Sequence, residues 1–193
     1  MEEHQQHPDE TLPQHAPESK KIWQQSLKLL REVLETIFPA VFIALLINLF
    51  LAQATRVYGQ SMEPTLHNDQ RLVVEKISYR FHGPRRGNVV VIRMGSSTSE
   101  LLIKRVVGLS GEEVAIRDGQ VYIDDRPLNE PYVTNFTYGD YGPEHVPPLH
   151  IFVLGDNRGF SNDSRSFGMV PIERVVGRAW FSYWPLDRLG FVQ

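Results

Sequence analysis

Cysteine is missing from all 193 residues, which removes thiol nucleophiles, disulfides and thiolate-bound metals and leaves any catalysis to other side chains. A basic excess is missing as well. Lys and Arg number 20 against 23 Asp and Glu, a formal net charge of -3, so the electrostatic footprint of a nucleic-acid binder is lacking and no nucleic-acid partner is expected. There is no internal repeat. Strands do not alternate with long helical patterns, which argues against a doubly wound α/β fold. Long apolar runs are scarce too: there is one.

That run is Ile37 to Ala52, IFPAVFIALLINLFLA, with Asn48 as its only polar side chain. With Thr36, Gln53 and Ala54 it approaches the ~20 residues a spanning helix needs. The sequence therefore predicts a transmembrane helix over 36–54, with Pro39 near its start, where a missing N–H costs least. Lys20, Lys21, Lys28 and Arg31 precede the run, while Arg56 and Arg71 are the only cations soon after it. The positive-inside rule then puts the N-terminus in the cytoplasm and residues 55–193 on the far side. Residues 1–20, rich in Glu, Gln, His and Pro, read as a flexible tail, and 21–35 as a basic juxtamembrane segment. His4, His7 and His15 lie in that tail with nothing to fix their geometry, so no metal is assigned. Ala52-Gln53-Ala54 behind an apolar run also has the form of a cleavable secretory signal. The run is long for that, and an uncleaved anchor is the reading adopted, with self-cleavage after Ala54 left open.

Beyond the run, short β-branched segments dominate: 71–74, 88–92, 101–107, 114–116 and 121–123, with further strands over 150–154 and 174–183. The fold expected is mainly β: a membrane-anchored β-sheet catalytic domain with one N-terminal transmembrane helix. Asp118-Gly119 is a two-residue hairpin signal. Gly139 to Pro148, rich in Gly and Pro, reads as a loop.

Three segments carry residues able to do chemistry. Gly59-Gln60-Ser61-Met62-Glu63-Pro64-Thr65-Leu66 follows closely on the apolar run; taken alone, its serine reads as a solvated turn residue or a helix cap rather than a reactive group. Leu102-Ile103-Lys104-Arg105-Val106 offers a base if it is a strand, because alternation sets Lys104 between Leu102 and Val106 on one face. An amine of pKa ~10.4 must be desolvated to act as a base near neutrality, and lowering it by two to three units costs roughly 3–4 kcal/mol. The plain alternative has Lys104 snorkelling from an edge strand and Arg105 facing water. The third segment, Gly155-Asp156-Asn157-Arg158-Gly159-Phe160-Ser161-Asn162-Asp163-Ser164-Arg165, has the density of Asp, Asn, Ser and Gly that builds a tight, self-bonded loop. In it Asp163 and Arg165 can pair, and Ser161 or Ser164 can hydrogen-bond the Lys104 amine.

Together, Ser61-Met62-x-Pro64-Thr65-Leu66, Lys104-Arg105-Val106-Val107-Gly108 and Gly155-Asp156-Asn157-Arg158-x-x-Ser161-x-Asp163-Ser164-Arg165 closely resemble the hallmark stretches of type I signal peptidases, in the same order. The resemblance runs from the apolar segment nearly to the C-terminus. It implies a membrane-bound serine endopeptidase without cofactor or metal that removes signal peptides from exported precursors after small-x-small sites. Ser61 would be the nucleophile, Lys104 the general base and Ser161 the partner orienting that lysine, with Asp156, Asn157, Asp163 and Arg165 supporting the loop. The Ser61 N–H would serve the oxyanion. Some family members add a serine hydroxyl two residues before the nucleophile, where this chain has Gly59, so a backbone N–H at or near Gly59 is the expected second donor. Asn88 stands where the family usually has Asp, a change read as structural and tolerated. Val57, Met62, Leu66, Leu102 and Ile103 are the expected pocket residues, and Trp180, Phe181, Tyr183 and Trp184 either touch lipid or bury as a strand end. Implied partners are precursor proteins, the lipid bilayer and the translocation machinery of a cell or thylakoid-type membrane. The same anchored β domain without activity, serving as an interaction module, is the competing reading; a cytosolic self-cleaving repressor with the same Ser/Lys chemistry is disfavoured by the apolar run.

Overall fold

The computed structural model describes residues 18–46, 52–95 and 100–193. Two compact units divide the chain at Leu45/Leu46. The first contains all but the last residue of α1 (Glu18–Leu46), which holds Pro39 in its interior. The helix starts well before the position expected for it, because the Lys, Gln, Leu and Glu residues ahead of the apolar run are themselves strong helix formers. An Arg31–Glu35 pair at 2.7 Å adds one i,i+4 contact. Large apolar side chains from Leu29 to Leu46 stay exposed. Among the described residues no helix is long and apolar enough to cross a membrane. Residues 47–51 of the apolar run lie outside the described residues, as does most of the N-terminal tail.

The second unit is mainly β. Its strands are β1 (Ala52–Arg56), β2 (Arg71–Glu75), β3 (Val89–Arg93), β4 (Leu101–Gly108), β5 (Glu113–Arg117), β6 (Gln120–Ile123), β7 (Arg126–Pro127), β8 (Tyr141–His145), β9 (His150–Leu154), β10 (Val170–Pro171), β11 (Val175–Trp184) and β12 (Gly190–Phe191). Short helices α2 (Ser78–Phe81) and α3 (Ser164–Phe167) interrupt them. The larger sheet runs β1-β2-β11-β3-β4-β9-β10 with β12 on β11, and a smaller one runs β7-β6-β5-β8. All pairs are antiparallel, as short connections permit.

Every strand expected from β-branched runs is present. Asp118 and Gly119 both take positive φ, 49° and 76°, and close the β5–β6 hairpin. Two expectations change. Tyr141–His145 lies within the stretch read as a loop, yet pairs with β5, because its Gly and Pro fall on an edge strand where a missing donor is tolerated. Ala52–Ala54, read as the end of a helix, instead forms β1 against Val73–Glu75.

Apolar side chains divide into three buried clusters. One, holding Val107, Val114, Ile116, Val121, Phe152 and Leu154, joins the smaller sheet to the larger. Another, around Val90, Ile92, Val106, Ile151 and Val153, fills the space beneath β3, β4 and β9. The third gathers Val57, Met62, Leu66, Leu72, Val89 and Ala179, with Ile103 against it, and seats the turn that carries Ser61.

Candidate active site

Lys104 sits mid-strand on β4, opposite Val90 of β3, and β9 flanks β4 on the other side only from Arg105 onward. The lysine is 3% exposed, which overturns the snorkelling alternative. Its Nζ lies 2.7 Å from Ser61 Oγ. Burial pushes the amine from its ordinary 10.5 down to about 8, against the opposing pull of the Asp163 and Asp156 carboxylates; Arg165 adds to the lowering. An amine tuned this way is largely a free base in mildly alkaline solution.

Arg105, the next residue, is also buried, not facing water. Its guanidinium grips Asp156 in a bidentate pair, Nε to Oδ1 at 2.8 Å and Nη2 to Oδ2 at 2.7 Å. It also donates to the Gly87 and Gln193 carbonyls and to Thr65 Oγ1, and stacks over the Tyr132 ring at 3.9 Å. Burial of a charge this size is tolerable only with such saturation of its donors. Motif order gave no sign that Arg105 is the hub joining all three segments. The signal available was its place inside an apolar strand run.

The third segment packs as a self-bonded loop behind Ser61. Asp163, fully buried, caps α3 by accepting from Arg165 N, binds the Arg165 guanidinium through both oxygens and accepts from Gly155 N. Arg165 also donates to the Arg158 carbonyl at 2.8 Å. Asn157 donates from its backbone to the Ser61 carbonyl and from its side chain to the Gln60 carbonyl, each at 3.1 Å. Gly155 lies so close beneath that a Cβ there would stand 2.4 Å from the Ser61 carbonyl oxygen and 2.2 Å from Ser161 Oγ. Arg158 and Glu130, which the sequence reading left unassigned, form a buried ion pair at 2.6 Å beneath this loop.

Ser161 lies against this site, but its buried Oγ has no hydrogen-bond partner among the described residues and makes no bond to Lys104. Gly59, with φ +86°, donates its N–H, the expected second oxyanion donor, to Asn68 Oδ1 at 2.9 Å. Its positive φ explains why a glycine serves there. A cleft of about 390 Å³ opens over Ser61 and Lys104, walled by Thr55–Tyr58, Met62 and Glu100–Ile103. Val57, Met62, Leu102 and Ile103, four of the expected pocket residues, lie in its wall. Leu66 does not; it is buried in the core under the turn. Trp180 and Trp184 are partly exposed at the β11–β12 side, where Trp180, Phe181 and Phe191 rings touch.

A serine hydroxyl held against a desolvated amine, on an antiparallel sheet, has the geometry of a serine hydrolase. The chain belongs to the signal peptidase family, peptidase S26, whose profile matches residues 30–184, and is thereby a serine endopeptidase. It is 44% identical over 168 residues to signal peptidase I of Leptolyngbya laminosa, covering 83% of each chain. Against probable signal peptidase I-2 of Synechocystis sp. it is 40% identical over 166 residues, 83% of this chain and 76% of the relative. Thylakoidal processing peptidase 1, chloroplastic, of Arabidopsis thaliana is 35% identical over 162 residues, 79% of this chain and 48% of that longer protein.

Proposed function

We propose that this chain removes N-terminal signal peptides from exported precursor proteins, cutting after small-x-small sites with Ser61 as nucleophile and Lys104 as general base. The 2.7 Å contact of a buried, base-tuned Lys104 with Ser61 Oγ carries the reading. In the neutral amine the Nζ lone pair accepts the Ser61 proton as Oγ bonds to the scissile carbonyl carbon. The carbonyl oxygen then bears the negative charge, next to the Ser61 N–H, which has no intramolecular partner among the described residues. The protonated Lys104 returns its proton to the leaving amine as the C–N bond breaks. A water deprotonated by the same amine hydrolyses the acyl-enzyme.

Substrate recognition follows from the edge of β4. Leu101–Lys104 pairs with β3 on one side, while β9 pairs only from Arg105 onward, so an extended peptide can add to the free backbone there. Val57, Met62, Leu102 and Ile103 make the floor apolar and shallow, suited to small side chains. The apolar run, the preceding cations and the exposed apolar side chains of α1 support a single-pass anchor with a cytoplasmic N-terminus and the β unit on the trans side, in a cell or thylakoid-type membrane. Precursors would arrive there from the translocation machinery.

The test is cleavage of a precursor carrying an Ala-x-Ala site by the detergent-solubilised protein, beside Ser61→Ala and Lys104→Met. Both variants should fold and lose about 10³-fold or more of the rate. Full activity in either would overturn the assignment, and an inert wild type would favour an interaction module.

A further inference from the structure

Resting on the reading of Ser61 as nucleophile, we infer that Asn157 is the positioning residue that aims the oxyanion-binding N–H. The two peptide planes that meet at Ser61 are Gln60–Ser61 and Ser61–Met62, and Asn157 holds both. Its side-chain Nδ2 donates to the Gln60 carbonyl at 3.1 Å, and its backbone N–H donates to the Ser61 carbonyl at 3.1 Å. The Gln60–Ser61 bond is not among the cis peptides, so its C=O and N–H point in opposite directions within one plane. Drawing the Gln60 oxygen toward Asn157 therefore turns the Ser61 N–H outward, away from the loop. With both flanking planes held, φ and ψ of Ser61 are set, and the directions of its N–H and its Cα–Cβ bond are set with them.

Three further observations fit this role. Glu63 N–H also donates to the Gln60 oxygen at 3.1 Å, so the turn alone supplies one restraint and Asn157 the second. The amide of Asn157 has a defined orientation, because a carbonyl can only accept and because its Oδ1 accepts from Asn135 Nδ2 at 3.3 Å. Asn157 is 6% exposed, which keeps water from competing for these bonds. The loss of Gly59 N–H to Asn68 makes the aim of the Ser61 N–H weigh more in this chain, since the neighbouring candidate donor is already engaged.

Asn157→Ala and Asn135→Ala are compared with wild type for kcat, KM, thermal midpoint and two inhibitors. One inhibitor is a peptide aldehyde ending in Ala-x-Ala, to whose carbonyl Ser61 Oγ adds reversibly while the oxygen takes up negative charge. The other is an uncleavable peptide with a reduced scissile bond, which lacks that oxygen. Removing an oxyanion donor typically costs 10²–10³-fold in rate, and a misaimed donor should cost about 10- to 100-fold. Expected for Asn157→Ala is that fall in kcat with KM within about twofold. Aldehyde affinity should fall in parallel, affinity for the reduced peptide should hold, and the pH midpoint of activity should not move. Asn135→Ala, which removes only the exposed side chain holding Oδ1, should show the same pattern more weakly. Equal loss of affinity for both inhibitors, or unchanged aldehyde affinity in either soluble variant, would overturn the inference. Ser61→Ala run alongside separates the two levels: its activity would sink the nucleophile assignment, whereas a Ser61-dependent enzyme indifferent to Asn157 sinks only this inference.

Discussion

Lys104 is held in a setting that disfavours its own charge. Desolvation lowers the amine to about 8 even though Asp163 and Asp156 pull the other way. Activity should therefore rise with pH through a midpoint near 8; a rate flat from pH 6 to 10 would contradict a neutral-lysine base. The same shift has a stability consequence. The folded-state pKa lies below the unfolded value of 10.5, so the unfolded chain binds the extra proton between about pH 8 and 10.5. Stability is full above that window, falls as pH drops through it and stays low beneath it. Lys104→Met should then be more stable than wild type near neutrality by up to about 3 kcal/mol, with the gap closing toward pH 10.5, as read from denaturant midpoints at several pH values. Gly155 presents the opposite sensitivity. Any Cβ there meets the Ser61 carbonyl and Ser161 Oγ, so Gly155→Ala should displace Ser61 and cost roughly 1–3 kcal/mol, with a loss of kcat that tracks the displaced turn.

At the scale of elements, the site depends on β4 being central. Paired with β3 over Leu101–Arg105 and with β9 from Arg105 onward, it carries Lys104 toward the Ser61 turn and sends Arg105 to Asp156 on the loop after β9. Both partners of that pair are at most 2% exposed. Removing one leaves a buried charge unpaired, at a cost of about 3–5 kcal/mol. Asp156→Ala should thus lower the thermal midpoint far more than Arg31→Ala, whose exposed i,i+4 pair on α1 contributes only tenths of a kcal/mol. If the two variants melted alike, Arg105 would not be the hub described above. The strands themselves were legible from β-branched runs, since 71–74, 114–116 and 150–154 are short, apolar and bounded by turn residues. Strand β8 was not, because two of its residues, Gly142 and Pro143, are turn formers; only its pairing with β5 makes it a strand. Likewise Ala52–Ala54 has no strand signature of its own and is extended because β2 offers it a register.

Across the whole molecule, the proposed chemistry and the proposed anchor fall in separate units. The β unit carries Ser61, Lys104 and the supporting loop, and α1 carries exposed apolar side chains. The proposed anchor predicts that the protein stays with membranes after alkaline carbonate extraction and is released by detergent; release by carbonate alone would count against a spanning segment. The proposed mechanism draws nucleophile and base from side chains alone, so cleavage should persist in excess chelator, and strong loss of activity there would sink the Ser/Lys account.

From the sequence by itself came the mainly β character, the single apolar run, and the three motifs with Ser61, Lys104 and the Asp163–Arg165 pair, because these are properties of local pattern and of residue types at short spacing. Only the tertiary structure decided what each polar group does. Gly59 N–H is taken by a side chain nine residues away. Ser161 Oγ is left without a partner among the described residues, Leu66 turns into the core, and Asn157 reaches back across the chain to Gln60 and Ser61. A hydrogen bond depends on distance and direction in space, and residues far apart in sequence acquire both only when the sheet has brought their strands together.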